Sequence, residues 1–282
     1  MNEFYLLMSE PSDMLRRMAE AVLSGEPYVL VDSPDKIPEL KNKKLIFAAE
    51  LNSAGIDLRL WAIISKLCCR GAAALAGSIG AVIVRSESEL YTKSAASSIV
   101  YLANNLGCSF PGHPLVEATE GLRNFLTWQK TMDISLEDIC IKLCGELGKR
   151  LRAGAPARIE RPNIAAIHSS QRSTSNTLRL WRMVYDSLSD CIVNELHVKN
   201  GEALDCRGCS YRACVHYGMK GGCFYGGAVV ENIYPAVERA DAMVWICPNY
   251  NDNISANLIA VINRLTALYR KISFRDKSLF AV

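Results

Sequence analysis

Three stretches in the second half of the sequence combine residue types that could bind a ligand or a metal. The first is a run of hydroxyl, amide and cationic side chains over residues 168–177, reading H-S-S-Q-R-S-T-S-N-T. The second is the short sequence C-P-N-Y-N at residues 247–251. The third is a cysteine- and glycine-rich stretch, 201–227. Each has a chemical interpretation and a purely structural alternative.

The first stretch has the composition of a loop that binds phosphate. A short apolar run, Ile164–Ile167, precedes it, and apolar residues at three- and four-residue spacing follow it, which predicts a strand, a loop and a helix. The N-terminus of a helix favours an anion through its free N–H groups and its dipole. Five side chains could add hydrogen bonds to that anion, the arginine with its charge: Ser170, Arg172, Ser175, Asn176 and Thr177. The alternative is an ordinary N-cap, for which Ser, Thr and Asn are common.

The second stretch follows an apolar segment, Ala242–Cys247, that predicts another strand. Ligands of open parallel sheets bind beyond the carboxyl ends of the strands, so this turn would share one edge with the polar loop. Backbone and amide groups could meet the polar edge of a flat cofactor, and the tyrosine could border its ring. The residues concerned are Pro248, Asn249, Tyr250 and Asn251. The alternative is a plain turn, because Pro and Asn are turn residues.

The third stretch holds four cysteines in the spacing C-x2-C-x4-C-x8-C: Cys206, Cys209, Cys214 and Cys223. A [4Fe–4S] cluster needs four thiolates that converge on one point, and zinc could use the same set. The alternative is a group of reduced thiols in a loop. The chain has eleven cysteines, but its first residues show no secretory signal, which argues against a disulfide framework.

Length and composition indicate a globular protein with room for two domains, at 282 residues. The net charge of +3 is small, and no basic stretch is interleaved with aromatic residues, so nucleic-acid binding is not expected. No apolar run reaches the roughly 20 residues of a membrane span, and membrane binding is not expected either. We therefore expect a cytoplasmic protein.

Strand and helix patterns alternate about five times in the first half of the chain. This alternation predicts an α/β fold with a parallel sheet between two layers of helices. The predicted strands are Phe4–Met8, Tyr28–Val31, Leu45–Ala49, Ile79–Val84 and Pro114–Ala118. The expected division is a domain at 1–132, a helix and a linker at 133–162, and a second domain at 163–282, the linker being rich in Gly, Pro and charge.

An internal repeat relates the two halves. An offset of 198 residues places Leu45–Ala49 on Met243–Cys247 and Ala81–Val84 on Leu279–Val282. Both halves are therefore expected to contain the same strand-helix-strand unit. By this alignment the second copy stops after its fourth strand, at Val282, and an edge left exposed there would be prone to association.

The two polar motifs resemble those of a known family. The first is similar to the G-S-P-R-x-x-S-N-T phosphate loop of the flavodoxin-like NAD(P)H-dependent FMN reductases, and C-P-N-Y-N is similar to their flavin-facing P-x-Y-N turn. The cysteine stretch resembles a segment of the iron–sulfur flavoprotein branch and of its cluster-free relatives. The resemblance covers about residues 163–282 and implies two tandem flavodoxin-like, three-layer domains. The first domain lacks both motifs, since Ser9-Glu10-Pro11 and Glu50–Ser53 stand in their place, so we expect it to be a non-binding copy.

The resemblance also implies a function and roles for the residues. The loop residues would bind the phosphate of FMN, and Pro248–Asn251 would border its isoalloxazine ring. The protein would pass electrons from NAD(P)H through FMN to a quinone, a flavin or another small-molecule acceptor, and would form a homo-oligomer. Two alternatives are a cluster-linked electron-transfer flavoprotein, with a [4Fe–4S] cluster on the four cysteines, and a non-catalytic flavodoxin-like scaffold.

Overall fold

The computed structural model describes residues 3–154, 158–170 and 174–282. The chain forms two compact units, Met1–Pro156 and Ala157–Val282. Each is built on a parallel sheet with helices on both faces, so the predicted α/β fold class is confirmed. None of the helices in the described residues has both the length and the apolar character needed to cross a lipid bilayer.

The first unit contains a five-stranded sheet in the order β2-β1-β3-β4-β5, in which every neighbouring pair of strands is parallel. This is the strand order of the flavodoxin-like fold. The central strands are almost wholly buried, which agrees with their continuous apolar sequences. The strands are β1 (Phe4–Leu7), β2 (Tyr28–Val31), β3 (Lys44–Leu51), β4 (Ile79–Ser86) and β5 (Leu115–Ala118).

Helices cover both faces of this sheet. They are α1 (Asp13–Leu23), α2 (Leu58–Cys68), α3 (Thr92–Asn105), α4 (Leu126–Met132) and α5 (Leu136–Ala153), with short 3₁₀ turns at Pro34–Lys36 and Glu120–Phe125. α5 falls in the segment 133–162 that the sequence set apart from the first domain. Its buried residues, Ile139, Cys140, Cys144, Leu147 and Leu151, join α1 in one apolar cluster of the first unit. Cys140 and Cys144 thus serve as small apolar core residues.

The second unit contains a four-stranded parallel sheet in the order β7-β6-β8-β9. Its strands are β6 (Asn163–His168), β7 (Ile192–His197), β8 (Ala242–Ile246) and β9 (Ser278–Ala281). Its helices are α6 (Asn176–Tyr185), α7 (Tyr211–Gly218), α8 (Tyr234–Arg239) and α9 (Ala256–Leu268), with a single π-helical turn at Val229–Ile233. The order matches that of the first four strands of the first unit.

The repeat inferred from the sequence is visible in the elements. At the offset of 198 residues, Asp57 corresponds to Ser255, and these residues are the N-caps of α2 and α9. Each cap side chain accepts a hydrogen bond from a backbone N–H of the first helical turn. The same strand-helix-strand unit therefore recurs in both halves, with its helix beginning at the same point.

The long excursion between β7 and β8 is more ordered than the sequence indicated. The stretch 201–227 was expected to be a loop, but it contains α7. This helix packs closely on α9, because a Cβ added at Gly218 would lie 2.4 Å from the carbonyl oxygen of Ala267. The cysteine-rich segment is consequently held along the side of α9.

Two glycines of α5 give a matched test of how closely α5 packs on α1. A Cβ at Gly148 would lie 2.0 Å from the carbonyl oxygen of Val22 in α1, whereas a Cβ at Gly145 would lie 4.0 Å from its nearest atom. We expect Gly148→Ala to destabilise the protein by about 1–3 kcal/mol through overpacking. Gly145→Ala should leave it unchanged or stabilise it by up to about 1 kcal/mol through helix propensity. Urea unfolding of both variants measures the difference, and equal effects would contradict the close α1–α5 contact.

Candidate functional site

Three neighbouring strands of the second unit end at the same level. His168, the last residue of β6, is the register partner of His197, the last residue of β7, and of Ile246, the last residue of β8. The connections that follow these strands therefore begin side by side at the carboxyl edge of the sheet. This is the edge at which parallel α/β sheets bind ligands.

The loop after β6 carries the predicted phosphate-binding residues. Ser170 is buried, and its hydroxyl donates to the Ser175 hydroxyl at 3.3 Å. Ser175 is the N-cap of α6 and accepts a hydrogen bond from the backbone N–H of Leu178. Asn176 and Thr177 are the first two residues of that helix. Arg172, the fifth residue predicted here, lies outside the described residues.

The connection after β8 folds into a tight turn at the predicted flavin-facing motif. Asn251 and Asp252 both have positive φ angles, 53° and 58°. Tyr250 and Asn253 exchange two backbone hydrogen bonds of 3.1 Å across these residues, as expected for a type I′ turn. The turn leaves the Tyr250 side chain 55% exposed and available to a ligand. Pro248 beneath it is buried.

The side chain of Asn249 stabilises this turn. Its Oδ1 atom accepts a hydrogen bond of 2.7 Å from the backbone N–H of Asp252, and its Nδ2 atom lies 3.3 Å from the Asp252 carboxylate. These contacts fix the backbone that carries Tyr250.

A cavity of about 360 Å³ joins the loop and the turn. Its wall includes Ser169 from the loop after β6 and Tyr250 from the turn after β8. The two segments are also linked directly, because the hydroxyls of Ser169 and Ser255 lie 2.5 Å apart. The remaining lining residues are Asn200, Ile254, Ser255, Ala256 and Asn257. Of the predicted cofactor-binding residues that the structure describes, Tyr250 lines the cavity. The others do not belong to its lining: Ser170, Ser175, Asn176, Thr177, Pro248, Asn249 and Asn251.

Four polar residues of this cavity were not singled out from the sequence: Ser169, Asn200, Ser255 and Asn257. A signal was available for two of them. Asn200 follows β7, and Ser255 stands at the helix start defined by the repeat. Asn257 lies in the first turn of α9, where nothing in its sequence context marks it.

A buried histidine lies directly beneath the loop. His168 is only 5% exposed, and its ring stacks on that of His197 with centroids 4.6 Å apart. Its Nε2 atom is 3.4 Å from a carboxylate oxygen of Glu195. That carboxylate also accepts two hydrogen bonds of 2.7 Å from Arg182 and one of 3.0 Å from the indole of Trp181. The Nδ1 atom of His168 is buried without a hydrogen-bond partner among the described residues.

This environment lowers the pKa of His168 below its ordinary value. Burial is the main cause, and His197 and Arg182 act in the same direction against the opposing effect of Glu195. Glu195 compensates weakly because its charge is already paired with Arg182. His168 is therefore neutral near pH 7.

The four cysteines of the excursion, a candidate metal site from their spacing, differ in exposure. Cys206 is exposed, whereas Cys209, Cys214 and Cys223 are half-buried. Across the residues that the structure describes, no three His, Cys, Asp or Glu side chains come close enough to bind one ion. Cys214 and Cys223 instead pack against the apolar cluster between the sheet and α9.

The second unit is similar to one known family. Residues 162–282 match the model of the family described as NADPH-dependent FMN reductase. The recognition made from the two sequence motifs is confirmed. The match supports a flavin-dependent oxidoreductase, with FMN as its cofactor. No curated protein matched the chain.

Solved structures with some similarity to the chain include three proteins. Oxidised flavodoxin 1 from Bacillus cereus is 14% identical, with a TM-score of 0.38, over 54% of this chain and 97% of its own. RosB, solved with bound 8-demethyl-8-formylriboflavin-5′-phosphate, is 9% identical, with a TM-score of 0.38, over 74% and 97%. Smu.1420 from Streptococcus mutans is 12% identical, with a TM-score of 0.29, over 53% and 99%.

The described residues of the second unit suit this cofactor chemically. The loop after β6 offers hydroxyl groups at a helix N-terminus, as a phosphate requires. The cavity beside it has an exposed tyrosine and uncharged polar side chains, as a flat heteroaromatic ring requires. The unpartnered Nδ1 atom of His168 is a further polar group at the base of the loop.

The lowered pKa of His168 predicts acid sensitivity of this segment. The unfolded chain binds a proton near pH 6.5 while the folded protein does not, so stability is full above about pH 6.5 and is lost as the pH falls toward the folded-state pKa. We expect the urea midpoint of the wild type to fall between about pH 7.5 and 5.5, and to fall less in His168→Gln. His216→Gln, at an exposed histidine of α7, is the control and should behave as the wild type. A fall of the same size in all three proteins would contradict the assignment.

Proposed function

We propose that the second unit binds FMN and acts as an NAD(P)H-dependent FMN reductase-type oxidoreductase. The observation that carries this proposal is the shared cavity, whose wall includes both Ser169 at the start of the phosphate-type loop and Tyr250 in the flavin-type turn. Neither motif alone would distinguish a cofactor site from an N-cap or a plain turn. Their meeting at one cavity of about 360 Å³ favours a ligand that has both a phosphate and a ring.

The chain's own residues would act by binding and orientation. Ser170, Ser175, Asn176, Thr177 and Arg172 would hold the phosphate, supported by the dipole of α6. The position of Ser175 as the N-cap of α6, with its hydroxyl in contact with that of Ser170, supports this proposal. The electron donor would be NADH or NADPH and the acceptor a quinone, a flavin or another small molecule.

The turn after β8 would border the ring. Its left-handed residues and its two backbone hydrogen bonds fix the position of Tyr250 against the cavity. Bound FMN supplies the redox chemistry, and the protein sets its position and surroundings. The lining agrees with this division of labour, since none of its described residues is Asp, Glu, His, Lys or Arg.

Cluster-linked electron transfer, the second function considered from the sequence, requires the four excursion cysteines to converge. In the described residues they do not. The proposal is therefore limited to FMN chemistry.

Two N-cap serines provide a matched test of the phosphate loop. Ser175 caps α6, and Ser210 caps α7 in the excursion, each accepting a hydrogen bond from the N–H three residues on. Both alanine variants lose a cap worth about 1 kcal/mol, so their stability should fall alike. We expect only Ser175→Ala to weaken FMN binding, by about tenfold or more, and further in combination with Arg172→Ala. Flavin fluorescence titration gives the dissociation constants, and equal affinities in both serine variants would contradict the phosphate site.

Turnover is tested by anaerobic titration of the FMN-loaded protein with NADPH and, separately, with NADH. We expect the flavin absorbance band at roughly 450 nm to bleach as the flavin is reduced. Reoxidation should follow when a quinone is added. A protein that retains FMN but is not reduced by either nucleotide would reject the reductase activity and favour a non-catalytic flavodoxin-like module.

A further inference from the structure

Two asparagines on the wall of the cavity are hydrogen-bonded to each other. Asn257 Nδ2 donates to Asn200 Oδ1 at 2.7 Å. Asn257 lies in the first turn of α9, and Asn200 follows β7, so the pair closes the cavity from two different connections. Neither residue belongs to the phosphate-type loop or to the turn at Tyr250.

The pair leaves a defined set of hydrogen-bonding groups unused. A primary amide has one carbonyl oxygen and two N–H donors. The bond between the two side chains uses an N–H of Asn257 and accepts at the oxygen of Asn200. The carbonyl oxygen of Asn257 and the NH₂ group of Asn200 then have no other hydrogen bond within the described residues. An acceptor and a donor thus lie next to each other on the cavity wall.

The rest of the cavity indicates what would use these groups. The seven lining residues that the structure describes are uncharged, which favours a neutral part of a ligand here. Tyr250 offers an aromatic surface to a planar ring. A planar ring that presents an N–H beside a C=O complements the acceptor and donor of the amide pair. The imide edge of a pyrimidine-type ring has this pattern, with N3–H between two carbonyl groups.

We propose that the Asn200–Asn257 pair binds the imide edge of the isoalloxazine ring of FMN. The carbonyl oxygen of Asn257 accepts from N3–H, and the amide nitrogen of Asn200 donates to a neighbouring carbonyl. This inference rests on the proposed FMN function and deepens it by assigning the residues that select the ring. It gives the cavity two specificity determinants in addition to the turn at Tyr250.

A purely structural role for the pair predicts something different. Asn263 lies six residues after Asn257 in α9 and also links this helix to the excursion. Its Nδ2 atom donates a hydrogen bond to the Asp205 carboxylate at 2.9 Å. If the asparagines only tether the excursion to α9, substitution of Asn257 and substitution of Asn263 should have similar effects on flavin binding. Asn263 does not line the cavity, which makes it the matched control.

The test compares FMN with 3-methyl-FMN, in which a methyl group replaces the N3 proton. The wild type should bind FMN about tenfold or more tightly than 3-methyl-FMN, because the methyl compound leaves the Asn257 oxygen unpaired. In Asn257→Ala this ratio should fall to about twofold or less. Asn257→Asp keeps an acceptor and should restore the ratio, whereas Asn263→Ala should keep the wild-type ratio. Fluorescence titration gives all the constants, and circular dichroism confirms that each variant is folded.

The outcomes separate this inference from the proposed function. If the wild type binds FMN but shows no preference over 3-methyl-FMN, or if Asn257→Ala keeps the wild-type ratio, the amide assignment is wrong and FMN binding stands. If the wild type binds neither flavin, both the proposed function and the inference fall. Loss of the ratio in Asn257→Ala, with retention in Asn263→Ala, supports the assignment.

Discussion

The register of three parallel strands is the constraint on which the second unit depends. β6, β7 and β8 end at residues that are partners across the sheet, His168, His197 and Ile246. Because they end level, the phosphate-type loop, Asn200 and the turn at Tyr250 reach one cavity although up to about 80 residues separate them in the sequence. A slip of one residue in any pairing would turn the strand's side chains to the opposite face and carry its connection away from the others.

The two units differ at the N-terminus of the helix that follows the first strand. In the first unit a side chain of the protein occupies this position, and in the second unit the position is available to a ligand. In the first unit, Glu50 accepts hydrogen bonds from the hydroxyl and the backbone N–H of Ser12, the N-cap of α1, at 2.6 Å and 3.1 Å. Its other carboxylate oxygen accepts from Arg85 at 2.7 Å. A carboxylate of the chain thus lies at the helix N-terminus, where an anion is favoured. In the repeat, Pro248 of the second unit corresponds to Glu50, and a proline side chain carries no charge.

The excursion after β7 is the part of the second unit that lies mostly outside the proposed flavin site. It runs alongside α9 in space. The contacts are the Asn200–Asn257 and Asp205–Asn263 hydrogen bonds and the packing of Gly218 on Ala267. Only its first residues reach the cavity. Gly218 therefore serves close packing on α9, and Cys214 and Cys223 pack against the adjoining apolar cluster.

The sequence by itself determined the α/β class, the positions of the strands, the repeat and the two ligand motifs, because each is encoded locally in apolar periodicity or in a short run of residues. Only the tertiary structure decided what depends on contacts between distant residues. Three contacts join residues that are far apart in the sequence. They are the stacking of His168 on His197, the hydrogen bond between Asn257 and Asn200, and the hydrogen bond from Ser12 to Glu50. Whether the four cysteines bind a metal likewise depends on distances in space, which their spacing along the chain does not fix.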